Sequence, residues 1–277
     1  MLYFKQDNIR IFKGDCSLIL KSMAEESIDL IITSPPYDNL RDYKEGNSFD
    51  FNVIAYLLFK VLKPGGVIVW IVNDETIKGA KTGTSFKQAL YFQEIGLNLH
   101  DTMIWDKGVF TSVGSITVRY PSVFDFMFIF TKGKIKTFNP LIDRRNKNQG
   151  KISGTIRQKD GSFRRMSNIG KEYREYGIRF NIWDINPCRL SHNMSMITRE
   201  HPAPFPLGLV EDHINSWSNK GDTVLDCFIG SGTSAIACMN TGRRCIGIEI
   251  SEEYCQLTKE RILNNTIQYK IDRVKIS

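Results

Sequence analysis

The sequence predicts an α/β fold: a doubly wound, mostly parallel sheet covered by helices. Three observations predict it. Short apolar or β-branched runs, Asp29 to Thr33 and Val67 to Val72, alternate with segments of helical period. Val67 to Val72 (VIVWIV) is apolar throughout, as a strand buried on both faces requires. Near the C-terminus a glycine turn, Gly230-Ser231-Gly232, joins a strand to a helix.

In chain order, Asp29 to Thr33 forms a strand that stops at Ser34-Pro35-Pro36, because two prolines end both a ladder and a helix. Residues 51 to 62 carry apolar positions at helical spacing, and Lys63-Pro64-Gly65-Gly66 predicts a turn before the strand 67 to 72. A helix over 85 to 95 and strands over Leu99 to Asp106 and Val123 to Thr131 follow. From Lys132 to Arg179 the chain is polar, glycine-spotted and without periodicity. Regular character then returns: a helix near 207 to 217, a strand from Thr223 to Phe228, a helix to Thr241, a strand from Cys245 to Ile250 and a last helix from Glu252 to Asn264.

The 277 residues carry 37 Lys and Arg against 30 Asp and Glu, a net charge of +7. That charge is unevenly spread. Residues 132–179 hold fourteen basic side chains against four acidic ones, net +10, which leaves −3 for the rest. We therefore read 132–180 as a region inserted into a body made of 1–131 and 181–277. No apolar run approaches the 18 or so residues of a membrane span, and the first twenty residues lack the layout of a secretory leader, so a cytoplasmic location is expected. Six cysteines without a Cys-x-x-Cys pair, and four histidines without ligand spacing, predict reduced core thiols and no metal site.

Two segments carry chemistry. In Val224 to Thr233 a strand runs into Gly230-x-Gly232, and Glu249 follows 19 residues after Gly230 at the end of the next strand. Glycines let backbone approach a ligand, a helix N-terminus offers N–H groups to an anion, and a carboxylate at that distance can accept ribose hydroxyls. Together they predict a nucleoside-containing cofactor. The chain ends 28 residues after Glu249, too soon for the strands of a nicotinamide-binding domain, so the N-terminal half must complete the sheet. The second segment, Thr33-Ser34-Pro35-Pro36-Tyr37, lies at the carboxyl edge of that sheet. Its rigid carbonyl acceptors and aromatic ring suit a planar amine, although a proline turn with a packed tyrosine accounts for the same residues.

Ser34-Pro35-Pro36-Tyr37 followed far downstream by Asp226-x-Phe228-x-Gly230-x-Gly232 resembles the amino-methylating DNA methyltransferases of the beta class. Gly14-Asp15, Leu62 to Gly66, His201-Pro202-Ala203-Pro204-Phe205-Pro206 and Cys245 to Ile250 resemble further landmarks of that family in the same order. The resemblance spans nearly the whole chain outside 132–180. It implies a seven-stranded-type methyltransferase sheet in circularly permuted motif order, and S-adenosylmethionine as cofactor. Asp226, Phe228, Gly230, Ser231, Gly232 and Thr233 would line the methionine end, Glu249 the ribose and Asp15 the adenine, with Phe205 and Pro206 closing the side. Ser34, Pro35, Pro36 and Tyr37 would form the catalytic motif.

In that reading the Ser34 hydroxyl and Pro35 carbonyl hold the two hydrogens of an exocyclic amine, and Tyr37 stacks on a base flipped out of double-stranded DNA. Serine at position 34 is commoner in the family among N4-cytosine enzymes, which favours cytosine N4 over adenine N6. Pro187-Cys188 matches the nucleophile dipeptide of C5-cytosine enzymes but lacks their partner motif and is read as structural. Arg144, Arg145, Arg164 and Arg165 in the basic segment are the expected DNA-binding residues. A homodimer, a cognate restriction endonuclease and a nucleoid-associated place in a bacterial or archaeal cell complete the expectation. Methyl transfer to RNA or another amine, and a noncatalytic nucleotide-binding module, are the competing readings.

Overall fold

A computed structural model of the chain describes residues 1–35, 50–108, 118–187 and 205–276, with side chains to 265. Pro36, Tyr37, residues 38–49, Cys188 and His201 to Pro204 lie outside the described residues. In order, the elements are β1 (Leu2–Gln6), β2 (Ile9–Lys13), α1 (Cys16–Ser22), β3 (Ile28–Thr33), α2 (Phe51–Val61), β4 (Leu62–Val72), β5 (Thr76–Ile77), β6 (Ala80–Lys81), α3 (Thr84–Glu94), β7 (Asn98–Asp106) and β8 (Phe124–Thr131). Then come β9 (Arg144–Arg145), β10 (Thr155–Arg157), β11 (Phe163–Arg165), β12 (Tyr176–Gly177), β13 (Ile182–Asp184), α4 (Leu207–Trp217), β14 (Thr223–Asp226), α5 (Thr233–Thr241), β15 (Arg244–Glu249) and α6 (Glu252–Ile276). The chain divides into two compact units, Met1–Asn139 with Asn181–Ser277, and Pro140–Phe180.

The larger unit is built on a nine-stranded sheet of order β1-β2-β15-β14-β3-β4-β8-β7-β13. Five neighbouring pairs are parallel and three antiparallel. The sheet has nine strands rather than seven because β1 and β13 extend its two edges. The C-terminal strands β14 and β15 lie between the N-terminal β2 and β3, so the two ends of the chain share one sheet.

Strand alternation sends successive side chains to opposite faces. On one face Ile68, Trp70 and Val72 of β4 and Phe128 and Phe130 of β8 cluster with Leu58 of α2 and Phe92 of α3. The Phe92 ring stands 5.1 Å from Trp70 and 4.8 Å from Phe130, and the buried Trp70 indole donates to Gln88 Oε1 at 2.9 Å. Met127, between Phe126 and Phe128, faces the other way and meets His213 of α4 at 3.1 Å. His213 Nδ1 accepts from the Trp217 indole, so its Nε2 carries the proton that faces the Met127 sulfur.

Three features depart from expectation. Lys63 to Gly66 is a bulge inside β4 rather than a turn before it, since Leu62 and Val67 pair with Ile28 and Leu30. Gly65 sits there at φ +78°, where a side chain would be strained. The β1–β2 hairpin carries no strong apolar run and was invisible to periodicity, although Asp7, at φ 47°, is a turn-former in the left-handed region that it tolerates. The three-residue β13 exists only through its pairing with β7. Among the described residues no helix is long and apolar enough to cross a membrane.

The smaller unit holds two short antiparallel ribbons, β12–β9 and β10–β11. Its 41 residues contain eleven Lys and Arg against four Asp and Glu, so the chain's whole net charge of +7 resides there.

Candidate active site

The chain leaves β3 toward β4 on one side and β14 toward β15 on the other, so the carboxyl ends of β3 and β14 flank a topological switch point, where open α/β sheets bind ligands. The two ends are fastened together. Thr33, the last residue of β3, donates its hydroxyl to Asp226 Oδ1 of β14 at 2.7 Å. Asp226 is 2% exposed and also accepts from the Phe228 N–H at 3.1 Å and from the Ser234 hydroxyl at 2.5 Å. Burial pushes its carboxyl above the ordinary value, and the Ser234, Thr33 and Phe228 donors oppose that shift. Ser34, half-buried, and Pro35, buried, follow Thr33 directly.

Residues 227–232 cross from β14 to α5. Ile229 bonds the Ile248 carbonyl at 3.0 Å and lies over Gly247, where no Cβ would fit. The Gly230 N–H donates to Glu249 Oε2 at 2.9 Å, and Glu249 Oε1 accepts from Ile250 and Ser251, each at 2.9 Å. Burial raises the Glu249 carboxyl, and the three N–H donors pull it back. A carboxylate offers about four acceptor positions, so among the described residues one remains open to a ligand hydroxyl. Gly232 sits at φ +81°, and a Cβ there would come within 2.7 Å of Thr258 of α6. Its glycine character therefore serves close packing against α6 as much as approach by a ligand.

Gly14 donates to the Glu249 carbonyl at 2.9 Å, which brings Asp15 to the end of β15. Asp15 caps α1 through Oδ1, which accepts from Ser17 N and Oγ and from Leu18 N. The Ser17 hydroxyl is the main cause holding the Asp15 carboxyl below its ordinary value. Beside it the Cys16 thiol is pushed up to about 12, by burial first and then by Asp15.

Asp15, Glu249, Gly230 to Thr233, Asp226, Phe228, Ser34 and Pro35 thus lie along the ends of β2, β15, β14 and β3. Pro36 and Tyr37 lie outside the described residues. Pro206 is the N-cap of α4, and the Phe205 ring packs 6.4 Å from Trp105 of β7, three strands along from β3. Spacing missed Thr33, Thr258 and Arg261. Thr258 and Arg261 stand three apart on one face of α6, a visible signal whose target, nearly thirty residues upstream, was not legible.

In the smaller unit the four predicted arginines differ. Arg144 donates from Nε to the Ile178 carbonyl at 2.9 Å and stacks 4.3 Å from Phe180, so it is built into the unit. Arg145 is exposed, as are all six residues of the β10–β11 ribbon. The register puts Thr155, Arg157, Phe163 and Arg165 on one face and Ile156 and Arg164 on the other.

Residues 28–260 match the family model described as DNA methylase, one of N6 and N4 methyltransferases. The chain belongs to the DNA methylase family. This methylase is 49% identical over 262 residues to the orphan methyltransferase M.BamHII of Bacillus amyloliquefaciens, covering 93% of each chain. To the Type II methyltransferase M.HpaI of Haemophilus parainfluenzae it is 32% identical, over 91% of this chain and 74% of the relative. Among solved structures, the M1.HpyAVI–SAM complex is similar with a TM-score of 0.59 at 27% identity, covering 91% of this chain and 99% of that one. The PvuII DNA methyltransferase (cytosine-N4-specific) shares the fold with a TM-score of 0.66 at 22% identity, over 91% and 86%. The chain is an amino-methyltransferase of the beta class that acts on DNA, and its cofactor is S-adenosylmethionine. The open acceptor on Glu249 beside the Gly230 loop suits the ribose of that cofactor.

Proposed function

We propose that this methylase methylates the exocyclic N4 of cytosine in double-stranded DNA, at a base flipped out of the helix. The observation that carries the reading is the Thr33–Asp226 hydrogen bond, which fastens the start of the Ser34-Pro35 motif to the cofactor loop. When bound, the cofactor supplies an electrophilic methyl group on a sulfonium sulfur. Residues Asp15, Phe205, Pro206, Asp226, Phe228, Gly230, Ser231, Gly232, Thr233 and Glu249 would hold it.

The chemical difficulty is the amine, whose lone pair is delocalised into the ring. In our reading the Ser34 hydroxyl and the Pro35 carbonyl accept its two hydrogens, turn the nitrogen toward sp³ geometry and stabilise the positive charge that develops as the N–C bond forms. Once the N–C bond has formed, the surplus amine proton passes along one of these hydrogen bonds to solvent water. Both acceptors are preorganised because Pro35 fixes φ and Thr33 is anchored in the sheet. Tyr37 would stack on the base.

Arg145, Arg164 and Arg165 would contact DNA, and Arg144 would shape the recognition region, 132–180, from within. Serine at position 34, commoner in the family among N4-cytosine enzymes, supports cytosine. The description of the 49% identical relative as an orphan supports a chain that works without a cognate endonuclease. A homodimer bound to DNA in the cytoplasm is the assembly that the family resemblance supports.

Incubation with methyl-labelled cofactor and duplex DNA or RNA, followed by nucleoside analysis, tests this. Label is expected in N4-methylcytosine from DNA alone; label in N6-methyladenine overturns the choice of base, and label in RNA overturns the substrate. Ser34→Ala should lower kcat by roughly 10²–10³, the scale for loss of one preorganised transition-state contact, with cofactor affinity unchanged.

A further inference from the structure

We propose that Thr258 and Arg261 of α6 are positioning residues that hold the glycine loop in its cofactor-binding shape, an inference that rests on the cofactor assignment. The loop is gripped from two sides. Glu249 accepts the Gly230 N–H at 2.9 Å, while the fully buried Thr258 donates its hydroxyl to the Gly230 carbonyl at 2.8 Å. The body of Thr258 fills the space over Gly232 that a Cβ would need. One turn further along α6, Arg261 donates to the Ser231 carbonyl, lies 3.1 Å from the Ser231 hydroxyl and reaches Thr233 Oγ1 at 3.4 Å.

The planar trans peptide converts this grip into a direction. In such a unit the N–H points opposite the C=O. With the Gly230 carbonyl drawn to Thr258, the Ser231 N–H of the same peptide points away from α6, and with no acceptor on it among the described residues it can donate to an anionic group. With the Ser231 carbonyl drawn to Arg261, the next peptide is fixed as well, and its Gly232 N–H closes the turn onto the Ile229 carbonyl at 2.9 Å. The guanidinium adds positive charge beside the start of α5, where an anionic carboxylate is favoured. Without these two side chains the Gly230 and Ser231 carbonyls lose their donors, and the N–H direction is no longer set.

The test is calorimetric titration of the full chain with S-adenosylhomocysteine, which binds without turnover, alongside melting of the ligand-free protein and duplex DNA binding. Thr258→Val removes the hydroxyl and keeps the shape; it should weaken cofactor-site binding roughly tenfold, the scale of one buried hydrogen bond. Thr258→Ser restores the donor and should return affinity to within about twofold of the parent. Arg261→Met should weaken binding similarly and Arg261→Lys less, with DNA affinity unchanged throughout. Unchanged ligand affinity in Thr258→Val and Arg261→Met overturns the proposal. So does equal weakening in Thr258→Val and Thr258→Ser that tracks their melting temperatures, because that is a packing role only. A parent protein that binds no S-adenosylhomocysteine contradicts the cofactor assignment itself.

Discussion

The buried carboxylate of Asp226 ties the glycine loop after β14 to β3, the strand that leads into Ser34-Pro35, and three donors keep it in place. Its folded-state pKa is raised by burial, so it favours the fold at low pH and loses that contribution as pH rises through the raised value. Thr33→Val removes one donor to the ionised form and moves the pKa further up. The variant should lose roughly 1–3 kcal/mol at neutral pH and less near pH ~4, because a carboxyl raised above its ordinary value has begun to take up its proton there. Denaturation at the two pH values checks this, and an equal loss at both would contradict it. Glu249 was legible from its spacing after Gly230 at a strand end, and Asp226 from the family resemblance. Thr33, Thr258 and Arg261 were not, because each acts through a contact with a distant part of the chain.

Elements with continuous apolar content or helical period, β3, β4, α2, α3, α4 and α5, could be read from the sequence, since their burial comes from one stripe or one run. Elements that depend on a neighbour, the β1–β2 hairpin, β13 and the bulge in β4, could not. A buried arginine makes a similar long-range join on the opposite edge of the sheet. Arg243, 6% exposed, donates to the carbonyls of Ser218 and Thr241 and to Ser218 Oγ, and so caps the ends of α4 and α5. Arg243→Met takes the arginine donor from the Thr241 carbonyl and leaves the Ser218 carbonyl to Asn139 alone, and should cost about 2–4 kcal/mol of stability, with S-adenosylhomocysteine affinity unchanged in the folded fraction. Chemical denaturation paired with ligand titration reads both. For the exposed β10–β11 ribbon, Arg164→Ala with Arg165→Ala should weaken duplex binding and reduce the slope of log affinity against log salt by about 1–2. Fluorescence anisotropy across a salt series measures it, and a parallel loss of cofactor affinity would instead indicate misfolding.

Across the whole molecule, charge and chemistry are segregated. The larger unit is neutral overall and carries the candidate catalytic and cofactor residues, whereas Pro140–Phe180 carries the net charge of +7. The sequence placed that excess in 132–179; the structure assigns 132–139 to the sheet-bearing unit and concentrates the charge in 41 residues. Lys132, for instance, donates to the Phe59 and Leu62 carbonyls and serves the sheet. The interleaving of β14 and β15 between β2 and β3 explains why motifs at the two ends of the chain meet at one sheet edge. What that edge does to DNA decides the function. Sequencing with modification detection, on DNA from cells expressing the parent chain or Ser34→Ala, tests it most directly. N4-methylcytosine at one recurring sequence with the parent, and its loss with Ser34→Ala, is the predicted result; N6-methyladenine, or modification that survives Ser34→Ala, would contradict it.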